Sequence, residues 1–292
     1  MTQHSETVAA SEPATVSPQV LRQSLTRLKA LPTLPRLLQS VVNALEDLDV
    51  DFENVAELIE VDQSLTSQIL RLANSAFYGA QGSVAQVTQA LVMLGAAVTR
   101  SLVLSTSVLD IRKVALRGFW EHSIGCAVAA GAISKVTGRG NPEELTAAGL
   151  LHDLGKVALY KELPDAVIYI ANRADAEKRR FIDVERELLG VDHGEIAGWL
   201  VEKWSFPTRL AEPIMYHHAP ARARHAKDET AIVHAANTLV RGLGYGSGGD
   251  SRIPDIESKA WSRLKLSAAG LDSVLDHFDE DLDHALNYAL FD

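Results

Sequence analysis

The sequence predicts an all-α protein, and three observations carry that reading. Apolar residues recur at helical spacing through most of the chain. Gly and Pro stand where those runs must stop and start. No convincing alternating strand pattern appears.

Taken in order, residues 1–17 have the composition of a disordered leader, rich in Ser, Thr, Ala and Glu. They lack the cationic start and apolar run of a signal peptide. Leu31-Pro32-Thr33-Leu34-Pro35 is stiff and non-helical, because each proline biases the residue before it away from the α region. Leu34, Leu37, Leu38, Val41, Val42 and Leu45 then share a helical face, and Phe52, Val55, Leu58 and Ile59 repeat the pattern. Another amphipathic run covers Asp62 to Ala73. It ends in Asn74-Ser75-Ala76-Phe77-Tyr78-Gly79, read as a helix C-terminus closed by Asn and Ser. Val84 to Leu94 and Ala96 to Leu109 are two core helices broken near Gly95. A membrane span there is disfavoured by Arg100 at mid-span and by Thr99, Ser101, Ser105 and Thr106.

Trp120 to Val136 is rich in Ala and Gly, which suits close helix packing, and Gly138-Arg139-Gly140 stops it. Asn141-Pro142-Glu143-Glu144 starts the next helix with an Asn cap, a proline at the first position and acids near the positive dipole end. That helix is expected to run on through His152 and Asp153. Further helical runs fit Asp165–Arg173, Ala176–Leu188, Asp192–Trp204, Pro207–His217, Glu229–Arg241 and Leu271–Leu290. The expected organisation is a leader (1–17), an N-terminal helical half (18–115), a second helical half (116–241), and a Gly/Ser-rich loop with an acidic helical tail (242–292).

The chain has 292 residues, 47% hydrophobic and 23% charged, as in an ordinary globular protein. With 28 basic against 38 acidic residues and a formal charge of −10, it lacks the cationic balance of a non-specific nucleic-acid binder. A local basic pocket remains compatible with that charge. The single cysteine, Cys126, cannot form an internal disulfide and fits a reducing cytoplasm.

The strongest chemical signal is Leu150-Leu151-His152-Asp153-Leu154-Gly155-Lys156. An imidazole and a carboxylate inside an apolar pattern are costly unless something pairs with them. A divalent metal accepts both N and O ligands. The competing reading is a histidine held by its neighbouring carboxylate. Gly155 permits close backbone approach. Lys156 is either a phosphate contact or a lysine whose stem alone is buried. His122, His193, His217 and His218 are further candidate ligands, though each lies near a helix end where a cap or dipole contact also accounts for it. Asn237, on a mostly apolar helix, offers a neutral amide oxygen.

In chain order, His122, His152-Asp153 and Asn237 resemble the H…HD…D ligand order of the HD phosphohydrolase superfamily, with Asn in place of the last Asp. His193, His217 and His218 are similar to the extra histidines of the HD-GYP branch, which carries a two-metal site and cleaves cyclic di-GMP. The Ala-Pro-Ala-Arg-Ala-Arg after His218 lacks the Gly-Tyr-Pro signature. In the N-terminal half, Leu31–Pro35, Ile59–Thr66, Ile69–Gly79 and Gln89–Gly95 look like the HDOD domain. The similarity covers residues 25–240.

This resemblance implies an HD-like helical fold in a bacterial signalling protein, usually without catalysis. It implies a protein partner such as a sensor kinase, a response regulator or a cyclic-dinucleotide enzyme. With Asn237 weakening the shell, the expectation is a cytoplasmic regulatory module with no nucleic-acid partner and no membrane insertion. If a cofactor binds, it is a divalent metal (Mn, Fe or Mg). The alternative is a metal-dependent phosphohydrolase acting on a nucleotide or cyclic dinucleotide. There His122, His152, Asp153 and weakly Asn237 would hold one metal, His193, His217 and His218 a second, and Lys156 would steady a phosphate. A third reading gives the apolar stripe of the tail (Leu271, Val274, Leu275, Phe278, Leu282, Ala285, Leu286, Leu290) a docking role, against simple packing on its own domain.

Overall fold

The computed structural model describes residues 17–27, 36–45, 49–60, 84–108, 116–203 and 206–289, together with Leu65, Thr66, Ile69 and Ala73. The expectations for residues 1–16, for Leu31–Pro35, for Asn74–Gly79 and for most of Asp62–Ala73 lie outside the described residues. The helices are α1 (Pro18–Arg27), α2 (Arg36–Leu45), α3 (Phe52–Glu60), α4 (Val87–Val108), α5 (Phe119–Thr137), α6 (Pro142–Leu151) and α7 (Leu154–Glu162). They continue as α8 (Pro164–Ala176), α9 (Phe181–Leu189), α10 (His193–Lys203), α11 (Thr208–Tyr216), α12 (Lys227–Gly242), α13 (Ser258–Leu264) and α14 (Ala268–Ala289). No strand occurs among the described residues, so the all-α expectation holds.

Local signals act where the sequence placed them. The Asn141 side chain accepts the Glu144 amide at 2.9 Å and caps α6. Gly138 closes α5 in the left-handed conformation, φ 64°. Gly95 breaks α4 at φ 74°, ψ 160°, giving the two expected segments. Ser17 starts α1, its carbonyl accepting from Leu21 at 2.9 Å.

Two boundaries differ from the sequence reading, and two short helices are not visible in it. The helix expected to carry His152 and Asp153 ends at Leu151, and a new one begins at Leu154. The run expected over Ala176–Leu188 starts only at Phe181, as α9, because α8 extends to Ala176 and a turn in which Lys178 takes φ 53° follows. The short helices α1 and α13 carry too few apolar repeats to stand out by periodicity.

Helices α2 and α3 pack against α4, which leans on α6. The pairing of α5 with α6 is the most extensive among the described residues, and α12 and α14 also lie on α5. Gly149 makes the α5–α6 approach feasible, since a Cβ there would sit 2.5 Å from the Cys126 carbonyl oxygen. Helix α1 crosses to the second half and packs on α10 and α7. Ser24 Oγ there donates to Glu162 Oε2 at 2.6 Å. The tail helix α14 buries Val274, Phe278 and Leu282, so this stretch of its stripe packs on its own domain.

Candidate metal centre

The break between α6 and α7 builds the centre. Asp153 leaves helical geometry at φ −92°, ψ 18°. Two residues that a continuous helix would point about 100° apart instead sit in a turn, with Asp153 Oδ2 3.4 Å from His152 Nε2. Gly155 lets α7 press on the start of α10, because a Cβ there would collide with the His193 carbonyl oxygen.

Other helix ends deliver the remaining groups. His122 lies in the first turn of α5, with Nε2 3.9 Å from Asp153 Oδ2. Asp192 caps α10, accepting the Glu195 amide at 2.9 Å, which leaves His193 free to turn inward. His193 Nε2 stands 3.3 Å from Asp153 Oδ1, and His217 Nε2, just past α11, stands 3.7 Å from the same oxygen. His218 Nε2 lies 2.9 Å from His193 Nε2. Of the eight residues singled out from the sequence, His122, His152, His193, His217 and His218 therefore gather about the carboxylate of Asp153. Lys156 joins them, donating to Asp153 Oδ2 at 2.7 Å. Asn237 is buried on α12, and its Oδ1 has no hydrogen-bond partner.

Proton positions follow from the partners. His152 Nδ1 faces the Gly149 carbonyl at 2.7 Å and His217 Nδ1 faces the Ile214 carbonyl at 2.9 Å. A carbonyl only accepts, so both Nδ1 atoms carry hydrogen, and each ring turns its Nε2 inward. Neither Nε2 has a partner. His193 Nδ1 donates to Glu185 Oε2 at 2.7 Å, which fixes that ring the same way. Burial, reinforced by His152 and His193, holds His217 well below the usual histidine range. Burial also lowers His122, with His152 adding to it. It lowers His218 as well, with His217 and His193 contributing. Burial alone would raise Asp153, but His152 and Lys156 outweigh it and hold the carboxyl well below its ordinary value.

Asp153 Oδ1 and the His152 and His217 Nε2 atoms are thus buried polar atoms with no hydrogen-bond partner. Such a set is costly unless a cation joins it. Asp153, His193, His217 and His218 offer ligand atoms within 4.8 Å of one another, and His122, Cys126 and His152 form a second such group. Imidazole and carboxylate together suit Zn, Mn or Fe. Glu185 behind His193 is the outer carboxylate such ligands need. Cys126 is the weak member, because burial pushes its thiol up and keeps it protonated.

One residue and one loop escaped the sequence reading. Glu185 sits on an amphipathic helix and gives no local sign of being buried. The Gly242–Asp250 loop, read as a spacer, folds back on the centre. Gly248 accepts from Lys156 Nζ at 2.8 Å, the Ser247 amide donates to the Gly118 carbonyl at 2.8 Å, and Asp250 accepts the Phe181 amide at 2.8 Å. Arg241 clamps Asp250 from α12. His152 and His217 are fully buried, and His122, Asp153 and His193 are no more than 2% exposed.

Fold and centre together define an HD-like, all-helical domain whose histidines and aspartate gather at helix ends. The chain belongs to the HDOD family, whose domain model matches residues 31–220. Among solved structures it is similar to an HDOD domain protein of unknown function from Geobacter sulfurreducens. That pair is 24% identical with a TM-score of 0.69, covering 94% of this chain and 98% of that one. A provisionally named signal transduction protein from Marinobacter aquaeolei VT8 is 23% identical with a TM-score of 0.67, covering 95% of this chain and 62% of that one. A provisionally named phosphohydrolase from Shewanella amazonensis SB2B is 24% identical with a TM-score of 0.65, covering 92% and 98%. These likenesses concern the fold. A curated relative, an uncharacterized protein of Treponema pallidum (strain Nichols), is 27% identical over 226 residues. That match takes in 74% of this chain and 43% of the relative, so the chain spans less than half of that protein's length. No described helix is long and apolar enough to cross a membrane.

Proposed function

We propose that this protein is a regulatory module of a bacterial signalling pathway, acting through a protein partner and using its buried centre to hold a divalent ion rather than to turn over a substrate. The observation that carries this reading is closure. Asp153, His193 and His217 are buried, the Gly242–Asp250 loop seats on Lys156, and the buried Lys156 amine is bound to Asp153 and Gly248. A nucleotide phosphate needs both an approach path and a free cation, and here the lysine is committed.

Asp153, His193, His217 and His218 are the residues that would hold the ion, with Glu185 orienting His193. A bound divalent ion supplies Lewis acidity and can lower the pKa of a bound water. The protein's own groups supply the rest: Nδ1 protons fixed on backbone carbonyls, exclusion of water, and a link from the centre to the C-terminal segment. His234 extends that link. Its Nδ1 donates to the His217 carbonyl at 2.7 Å, and its Nε2 accepts from the Glu257 amide at 2.9 Å. A change at the centre therefore bears directly on the segment leading into α13, a surface route to a partner such as a sensor kinase, a response regulator or a cyclic-dinucleotide enzyme.

The test is turnover. Purified full-length protein with Mn²⁺ or Mg²⁺ is expected to leave nucleotides and cyclic dinucleotides intact. Hydrolysis that disappears in Asp153→Ala would overturn the regulatory reading. It would establish instead the second reading, a metal-dependent phosphohydrolase, which is favoured by the convergence of unpaired acceptors on Asp153.

A further inference from the structure

We propose that the Lys156 ammonium is the resident cation of one half of the centre, so that the chain binds a single divalent ion although ligands for two are gathered there. The inference rests on the cation-site reading above.

Carboxylate-bridged metal pairs lie about 3.5–4 Å apart, one ion toward each oxygen. Asp153 is placed as such a bridge. Its Oδ2 side faces His152 and His122, at 3.4 and 3.9 Å. Its Oδ1 side faces His193 and His217, at 3.3 and 3.7 Å. The two sides are occupied differently. Lys156 Nζ lies 2.7 Å from Oδ2, is held by the Gly248 carbonyl at 2.8 Å, and stands over the Phe181 ring, 5.2 Å from its centroid. Three separate contacts fix the amine, and its residue is 3% exposed. Oδ1 has no hydrogen-bond donor at all.

Charge favours the same division. The Oδ2 side offers two imidazoles, the Cys126 thiol and no carboxylate but the shared one. A divalent ion there would bring more charge than that side can balance, whereas a monovalent ammonium matches it. On the Oδ1 side, Glu185 stands behind His193 and adds a second negative charge. That side suits a dication.

The experiment counts ions. Wild-type protein, Lys156→Met and His193→Ala are dialysed against MnCl₂, and bound Mn²⁺ is measured per chain by mass spectrometry. The expectation is about one ion in wild type, about twice that in Lys156→Met, and a large loss in His193→Ala. Wild-type protein that already binds two ions, or Lys156→Met that binds no more than wild type, overturns the inference and leaves the cation site standing. Wild-type protein that binds none overturns both. Should Lys156→Met fail to fold, the wild-type protein alone decides through its electron paramagnetic resonance. An isolated Mn²⁺ signal supports a single ion, and an exchange-coupled pair signal overturns it.

Discussion

Glu185 grips His193 twice through one oxygen: Oε2 accepts the ring Nδ1 at 2.7 Å and the His193 backbone amide at 2.9 Å. The carboxylate is fully buried and eight residues upstream, across the α9–α10 turn. It sets both where the imidazole stands and which nitrogen carries the proton. Glu185→Ala frees the ring to rotate and to change tautomer. The expected result is a loss of Mn²⁺ affinity of about 10–100-fold, measured by isothermal titration calorimetry, with the helical circular dichroism retained. Unchanged affinity would remove Glu185 from the centre.

Asp153 and Lys156 form a buried ion pair, and breaking it from one side is costly. Asp153→Ala strands the ammonium and is expected to destabilise the fold by about 3–5 kcal/mol. Replacing both groups, as in Asp153→Leu with Lys156→Met, is expected to recover most of that loss because no uncompensated charge remains. Urea unfolding of Asp153→Leu, of Lys156→Met and of the double variant measures the coupling. Additive effects would contradict the pairing seen here.

Glu212 gives the fold an acid-sensitive fastening away from the histidines. Burial pushes its carboxyl up, but the amides of Ala226, His225 and Arg224 outweigh burial and hold it below 4.5. Its oxygens accept from those amides at 2.7–3.3 Å and fix the turn that leads into α12. A depressed carboxylate adds stability that is fully present above its unfolded value. That stability is lost as pH falls below 4.5 through the folded value. Glu212→Gln is therefore expected to cost about 1–3 kcal/mol at neutral pH and to lose less additional stability than wild type between neutral pH and pH 3. Denaturation curves at several pH values test this. Parallel pH profiles would count against it.

The tail helix α14 offers a structural test. Val274 is fully buried and Phe278 is 2% exposed. Phe278→Ala is expected to cost about 3–5 kcal/mol by leaving a cavity between α14 and α5. Truncation after Gly270 removes both side chains and is expected to abolish cooperative unfolding. A truncated chain that stays folded and loses only partner binding would restore the docking role for the stripe.

Much of the helical order is legible in the sequence because its signals are local. Asn141-Pro142, Gly138 and Gly95 each act within a turn or two of themselves. The break at His152-Asp153 is harder to read, since Leu150, Leu151, Leu154 and Val157 keep helical spacing straight across it. What opens that helix is part local and part tertiary: the His152 ring folds back on the Gly149 carbonyl three residues earlier, and Gly155 seats against His193. The site histidines are visible as residue types. Their convergence depends on α5, α10 and α11 meeting at their ends, which no single segment encodes. Glu185 and the loop partners of Lys156 stayed hidden because an acid on an amphipathic face and a run of glycines look like solvent-facing chain until the packing is known.

The loop seated on Lys156 and on the start of α5 also governs timing. The amine beneath it cannot swing away from Asp153 faster than that segment lifts, so any change of partner at that oxygen follows the rate of local opening. The pair is then completed only when the C-terminal segment seats itself, and a chain still folding keeps that lysine at liberty.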